Sequence, residues 1–452
     1  MTKRELHKAM PLVAVALGLS LGAAAISQAL HRFTPRFVQA TTQSGGDIGR
    51  GAAWVPDRFT FESNGDVLGN GNATWQIFLF SLLVRDFAGQ PGLSQITFGP
   101  FDAHYPSFSR NTDSDISLAV IAFEADGGLC SDPANNCDAL AAPTTGRQIF
   151  VYRLTTGRIT QVTSGPGDCR NPNISGLGAR IVFDSTTDLL GGGGIGTVPE
   201  LYQGELSELD PTCPQLPCPP RLDRFGDPRP RGLVRLTTGG GWHGSQSYNG
   251  RAIAFESRGD LANGNVNPGV QHIYVLRDDI LTQVSFGPED ARWPSLNSLG
   301  GRTVAFEQDK MVAGRGTVPQ VIVARLSRAR GPRLIPLTDG NASGFRPSVD
   351  AKGFHIAFTS SDDLLGNGSL NNQIFAYNLH KHLMLQITSA AEGADFAVST
   401  PYQLLGFVSS ADFEGTGNTA PQFYAANFYK SAPRDFVTPF LMTPTPTVTP
   451  TP

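Results

Sequence analysis

Short alternating runs of apolar and polar residues, of the length and composition of β-strands, recur along this chain in two kinds. The first kind ends in an aromatic followed by an acidic or small residue: FTFES (59–63), VIAFE (120–124), RIVFDS (180–185), AIAFES (252–257), TVAFE (303–307), HIAFTS (355–360) and LGFVSS (405–410). The second has the form Gln-Ile-Phe: QIFLF (76–80), QIFVY (148–152), ELYQG (200–204), HIYVL (272–276), QVIVA (320–324), QIFAY (373–377) and QFYAA (422–426). A unit that recurs at fixed period cannot bury both its faces alone and must stack on copies of itself. Seven copies of one unit are therefore expected.

Two further elements lie between each Gln-Ile-Phe run and the next Ala-Phe-Glu run. One ends in Gln-Ile-Thr or a variant, as at Thr97, Thr163, Thr237, Ser285, Thr338 and Thr388. The other is a short segment of the Pro-Ser kind, as at Pro106-Ser107, Pro172-Asn173, Pro294-Ser295 and Pro347-Ser348, with Gln246-Ser247 and Ala397-Val398 as degenerate copies. Each unit then reads as inner strand (Pro-Ser), second strand (Ala-Phe-Glu), third strand (Gln-Ile-Phe) and outer strand (Gln-Ile-Thr). Turn residues such as Thr156-Gly157 and Asp278-Asp279 separate them. The second-strand aromatic recurs at Phe61, Phe123, Phe183, Phe255, Phe306, Phe358 and Phe407, a basic period of about 50 residues with the excess held in loops. That is too long for the rung of a stacked β-helix. It suits an all-β fold, a β-propeller of four-stranded blades.

The seventh unit has no outer strand after its Gln-Phe-Tyr run. Phe37-Val38-Gln39-Ala40-Thr41 reads like the other outer strands, and the interval from Thr41 to Phe61 equals those from Thr163 to Phe183 and from Thr338 to Phe358. An N-terminal outer strand should thus complete the last blade and close the ring, removing its exposed edges. A strand from 436–440 is the competing closure.

The Pro-Ser, Ala-Phe-Glu-Ser, Gln-Ile-Phe-x-Tyr and Leu-Thr pattern, with Gly301 and Gly353 before second strands and Asn70-Gly71 and Asn367-Gly368 in the following loops, resembles the WD-like propeller repeat of the TolB type from Phe37 to about Lys430. The resemblance implies a periplasmic or extracellular scaffold that binds other proteins and has no catalysis of its own. TolB-type proteins have six blades and a separate N-terminal α/β domain, whereas this chain shows seven units and no room for that domain. The partner is therefore not transferable.

Composition and termini narrow the setting. The chain has 452 residues, 51 Gly and 33 Pro, and only 16% of its residues are charged, which suits many short strands and turns. A net charge of -4 with no basic stripe argues against nucleic acid as a partner. Lys3, Arg4 and Lys8, then an apolar stretch over 11–26 and small residues to Ala29, form a secretory signal layout, so 1–27 is read as a signal peptide, with an uncleaved anchor as the alternative. The propeller would occupy 28–430, and the Thr-Pro-rich segment 431–452 would be an extended spacer leading to a surface stalk or a missing attachment module. The protein is expected outside the cytoplasm, secreted, periplasmic or at the cell surface, as a monomer, with other proteins or cell-surface components as partners, and with no transmembrane span after signal cleavage.

Candidate chemistry sits in loops. Second-to-third and outer-to-inner loops share one face of a propeller, which groups Asp66, Asp188, Asp260 and Asp363 with Asp102, Asp168, Asp290 and Asp395. Such oxygens suit Ca²⁺, although Asp, Asn and Gly equally serve turns. No cofactor is otherwise expected and a metal is left undetermined. Asp102, Asp168, Asp290 and Asp395 are the candidates for ligand or cation binding at the channel mouth, or for paired-carboxylate chemistry on a polysaccharide or peptide in an enzyme reading. A third reading is a structural display protein. Trp75, Trp242 and Trp293 could stack on a ligand or pack blades. Five cysteines suit an oxidising compartment. The pairings open are Cys213 with Cys218 and Cys169 with Cys130 or Cys137, or else Cys130 with Cys137 and Cys169 free.

Overall fold

The computed structural model describes residues 36–427 apart from 43–44, 55–57, 72, 82–91, 110–118, 139–145, 191–197, 207–231, 263–268, 328–330, 339–341, 367, 369–370, 400–403 and 418. The expected signal segment 1–27, the tail 431–452, the rival closure strand 436–440, and Cys213 with Cys218 lie outside the described residues.

In six of the seven blades alternation places one aromatic of the second strand opposite one of the third, while in blade 5 Phe306 faces Ile322. In blade 2 the antiparallel strands are Ala103–Phe108, Val120–Asp126, Arg147–Arg153 and Arg158–Gln161, from channel to rim. Phe123 faces Phe150 in direct register, with ring centroids 5.8 Å apart and nearly parallel. The same cross-strand pair recurs as Phe61 with Phe78 (5.5 Å), Phe183 with Tyr202 (6.0 Å), Phe255 with Tyr274 (5.9 Å), Phe358 with Phe375 (5.8 Å) and Phe407 with Tyr424 (5.5 Å). Each such pair adds about 0.5–1.5 kcal/mol beyond its area burial. The recurring aromatics are thus the packing layer of the blades.

Seven four-stranded antiparallel sheets form a closed ring, a seven-bladed β-propeller. Among the described residues the only helical turns are two short 3-10 segments, and no helix is long and apolar enough to cross a membrane. Seven apolar clusters lie one at each junction between neighbouring blades, such as Phe59, Phe61 and Phe78 of blade 1 against Phe423 and Val398 of blade 7. The core is therefore a circular set of sheet-to-sheet interfaces around a channel lined by the inner strands.

Closure follows the expected route. The N-terminal strand Arg36–Gln39 pairs antiparallel with Gln422–Asn427, completing blade 7 as its outer strand. Thr41 then repeats what the Thr of blades 2 and 6 does. Its Oγ1 accepts from Phe423 N at 3.0 Å and donates to Gln422 Oε1 at 2.7 Å, as Thr388 accepts from Ile374 N and donates to Gln373 Oε1.

Turns behave as their residues require. Asp278 and Asp279 both take left-handed φ (50° and 63°), the pair of conformations that closes a two-residue hairpin. Cys130 and Cys137 form a disulfide across one loop, with Cα atoms 5.5 Å apart, while Cys169 is a buried free thiol hydrogen-bonded to Ser185 Oγ. The pairing of Cys169 with Cys130 or Cys137 is thereby corrected. Cys169 opens the inner strand of blade 3 and points into the apolar junction with blade 2, away from the loop that carries the other two.

Candidate binding site at the channel mouth

The inner strands are Ile48–Trp54, Ala103–Phe108, Cys169–Ile174, Trp242–Gln246, Ala291–Leu296, Phe345–Val349 and Ala394–Ser399. Each is broken near its start by a β-bulge against the second strand of its blade. A bulge re-aims one side chain out of the sheet. The residues so re-aimed are Arg50, Tyr105, Asn171, His243, Trp293, Arg346 and Phe396, and together they line the channel at one mouth. Six of the seven hold φ between 50° and 57°, a conformation uncommon outside glycine. Arg50, the exception, lies between Gly49 and Gly51. A Cβ on Gly49 would come within 2.3 Å of Glu62 Oε1, so glycine is what lets that carboxylate lie beside the bulge.

The strained bulges are held by the acidic residue of the repeat. Glu62 Oε2 accepts from Tyr105 N (2.6 Å), Glu124 Oε2 from Asn171 N (2.7 Å), Asp184 Oδ1 from His243 N (3.3 Å), Glu256 Oε1 from Trp293 N (2.7 Å) and Glu307 Oε1 from Arg346 N (2.6 Å). Each carboxylate therefore fastens the bulge of the next blade. Blades 6 and 7 carry Thr359 and Val408 at this position. There Phe396 N donates to Asp395 Oδ1 (2.7 Å), which also accepts from Thr359 Oγ1, and Arg50 N donates to Glu62 Oε1 (3.1 Å).

Deeper in the channel, the Ser of Pro-Ser is a second fastener. Ser107, Ser245, Ser295 and Ser348 each accept, at 3.0 Å, the backbone N-H of the next inner strand, from Ile174, Leu296, Val349 and Ser399. Asn173 does the same for Gln246 N at 2.9 Å.

Burial raises the pKa of three of these acids, Glu124, Asp184 and Glu307. Desolvation pushes Glu124 and Glu307 up from the ordinary carboxylate range, against hydrogen bonds from Asn171 N and Arg147 and from Arg346 N and Arg292 respectively. Asp184, which has no arginine partner, is pushed up to about 7 by burial, with His243 and Asn171 pulling the other way. His243 Nδ1 sits 2.8 Å from Glu256 Oε1, and its ring stacks on Trp293 at 4.0 Å.

Two arginines give the mouth its exposed charge. Arg346 pairs with Asp395 and lies 4.0 Å over the Phe396 ring. Arg50 reaches over the rings of Tyr105 (5.9 Å) and Trp293 (5.3 Å), and among the described residues its guanidinium has no hydrogen bond or ion pair. It keeps contact with water in the channel but is ringed by protein, and this desolvation pushes its pKa below the usual guanidinium value.

The four sequence candidates divide. Asp102, Asp168 and Asp290 accept a backbone N-H at or just before the start of the preceding third strand, from Trp75 (3.0 Å), Arg147 (2.9 Å) and Gln271 (2.8 Å), and none lines the channel cavity. Asp395 lies next to Phe396 on the ring and pairs with Arg346. The Asp residues of the neighbouring loops are engaged with backbone as well: Asp66 accepts from Asn70 N and Gly71 N, and Asp363 from Gly368 N. Among the described residues no three His, Cys, Asp or Glu side chains are grouped to hold a metal ion. Trp293 lines the channel, whereas Trp75 packs on His104.

Of the seven ring residues the sequence singled out only Trp293. Their signal was available: the position before Pro-Ser is occupied in turn by Arg, Tyr, Asn, His, Trp, Arg and Phe while its neighbours repeat. Variation inside a repeat marks what the scaffold does not need.

No protein-family model and no curated protein matches the chain. Solved structures do. The chain is similar to the β-propeller domain of the Trilobed protease from Pyrococcus furiosus, at 8% identity and a TM-score of 0.50, over 86% of this chain and 95% of that one. It is similar to a prolyl endopeptidase at 10% identity and a TM-score of 0.50, over 92% of this chain but only 55% of the endopeptidase. A putative TolB from Agrobacterium tumefaciens is also among the neighbours, at 18% identity and a TM-score of 0.35, over 58% of this chain and 76% of that one. The shared feature is the fold. The Pyrococcus domain is described as having an open velcro topology, whereas here the strand Arg36–Gln39 closes the last blade.

Proposed function

We propose that this chain is a non-catalytic binding propeller, working outside the cytoplasm, that takes a segment of a protein partner at the channel mouth ringed by Arg50, Tyr105, Asn171, His243, Trp293, Arg346 and Phe396. One observation carries the reading: at the same place in every blade a bulge turns a non-repeating side chain into a cavity of about 320 Å³, of a size to hold a ligand group. A backbone strained at six of the seven positions around one cavity favours a functional use of those side chains. Tyr, Trp and Arg are the residue types that dominate binding surfaces.

The acids nearby do not favour catalysis. Perturbed carboxylates in a cleft ordinarily point to an active site, but Glu62, Glu124, Asp184, Glu256 and Glu307 are all buried and hydrogen-bonded to the bulges they hold. Burial for a structural purpose accounts for the raised values of Glu124, Asp184 and Glu307. The Cys130 to Cys137 disulfide supports an oxidising compartment.

The test is affinity capture from the producing cell with the folded propeller as bait, beside a Tyr105→Ala, Trp293→Ala double variant. A partner retained by the wild type and lost by the double variant is the expected result. Equal recovery by both, or turnover of a glycan or peptide panel by the wild type, would overturn the reading.

A further inference from the structure

Among the described residues, Arg50 is the ring arginine whose charge has no ion-pair counterpart. Arg346, the other ring arginine, is paired with Asp395. The carboxylates nearest Arg50 are engaged elsewhere. Glu62 gives Oε1 to Arg50 N and Oε2 to Tyr105 N, and Glu256 gives Oε1 to His243 and Trp293 N and Oε2 to Gln271. Their field steadies the guanidinium without binding it, and Arg346 repels it. A guanidinium left partly dehydrated, flanked by two aromatic rings and facing a cavity, has five donors and no acceptor. An incoming carboxylate would take two of those donors side by side, in an enclosed site where such a bond is stronger than at an open surface.

Resting on the channel-mouth reading, we infer that the group received there is a peptide carboxylate, a C-terminus or an Asp or Glu side chain, seated on Arg50 between Tyr105 and Trp293. The two rings hold the guanidinium against rotation and offer flat faces to the peptide on either side of the carboxylate. Arg346, although paired with Asp395, adds to the positive field felt at Arg50, so an acidic segment is preferred over a neutral one. A basic segment meets the two arginines and is rejected.

The experiment measures fluorescence anisotropy of labelled tetrapeptides on the full chain: tetraglutamate with a free C-terminus, the same peptide amidated, amidated tetraglutamine and amidated tetralysine. Tetraglutamate is expected to bind about tenfold or more tighter than tetraglutamine, and tetralysine more weakly than either. Arg50→Gln should bring tetraglutamate to the level of tetraglutamine, with Arg50→Lys between them. Amidation weakens binding if the C-terminus is the seated group and leaves it unchanged if a side chain is. Because the Arg50 side chain makes no hydrogen bond, Arg50→Gln is expected to fold, and an unchanged thermal midpoint checks this. Arg346→Gln supplies a second variant, expected to weaken tetraglutamate by a smaller factor. Tetraglutamine binding as tightly as tetraglutamate, or Arg50→Gln leaving tetraglutamate unaffected, overturns the inference. If the neutral peptide binds and Trp293→Ala abolishes it, the acid preference fails while the channel-mouth reading stands. If no peptide binds, the acid preference fails and the capture experiment judges the site.

Discussion

Asp184 shows how one residue can serve the scaffold at the expense of stability. It fastens the His243 bulge from a buried position with no arginine ion pair among the described residues, and burial raises its pKa to about 7. An acid whose folded pKa lies above its unfolded value holds a proton in the folded chain that the unfolded chain releases, so stability falls as pH rises between the two values. The window here runs from the ordinary Asp range up to about pH 7, beyond which the penalty is complete. Its full size is on the order of 4 kcal/mol, from a shift of roughly three pKa units. Asp184→Asn keeps an oxygen that can accept from both Asn171 Nδ2 and His243 N, as Oδ1 now does. The variant is expected to be more stable than the wild type at about pH 8 and to lose part of the decline between about pH 5 and 8. Urea unfolding at several pH values checks this, and a variant whose stability tracks the wild type throughout would contradict it. Glu124 and Glu307 contribute in the same direction, so the whole decline should not vanish.

Among elements, the N-terminal strand has the largest leverage for its length. Arg36–Gln39 is only four residues, yet it covers the edge of Gln422–Asn427, and Thr41 beyond it holds Phe423 N and Gln422 in the manner of blades 2 and 6. Deleting 36–41 uncovers a strand edge whose unpaired backbone groups invite association with other chains. It also removes Phe37 and Val38 from the clusters that join blade 7 to its neighbours. The truncated chain is expected to melt at lower temperature and to aggregate, followed by circular dichroism and light scattering. A truncated chain that stays monomeric and melts as the full one does would show that the ring does not need this closure. The strand was legible in the sequence because its Thr stands at the repeat interval from the next second-strand Phe. The bulges were not, since a bulge is a mismatch between two strands and leaves no periodic mark on either one alone.

At the scale of the molecule, repeating and non-repeating residues carry different burdens, and the two can be separated by experiment. Ser295→Ala leaves the buried Val349 N without its acceptor and should lower stability by about 1–3 kcal/mol. It should leave the ring side chains in place and binding unchanged. Tyr105→Ala with Trp293→Ala should do the reverse, losing binding while the thermal midpoint stays near the wild-type value, because these rings face the channel and belong to none of the apolar clusters. Thermal melts and peptide binding on the same preparations decide the matter. A ring variant that unfolds would mean the ring is part of the core.

The sequence by itself determined the blade, the number of blades and the strand that closes them, because each depends on local alternation and a constant interval that any copy of the unit displays. It also named the acids, serines and threonines that recur, without saying what they hold. Only the tertiary structure decided that Glu62 and its counterparts secure the bulges of the following blade, that Asp102, Asp168 and Asp290 hold strand ends while Asp395 reaches the ring, and that Cys130 pairs with Cys137. The reason is that each of these is a contact between segments brought together by the closure of the ring or the path of a loop. The mouth residues likewise come from seven blades spread along the chain from Arg50 to Phe396, and no stretch of sequence contains more than one of them. Their common position in the repeat is written in the sequence, but their convergence on one cavity exists only once the ring has closed.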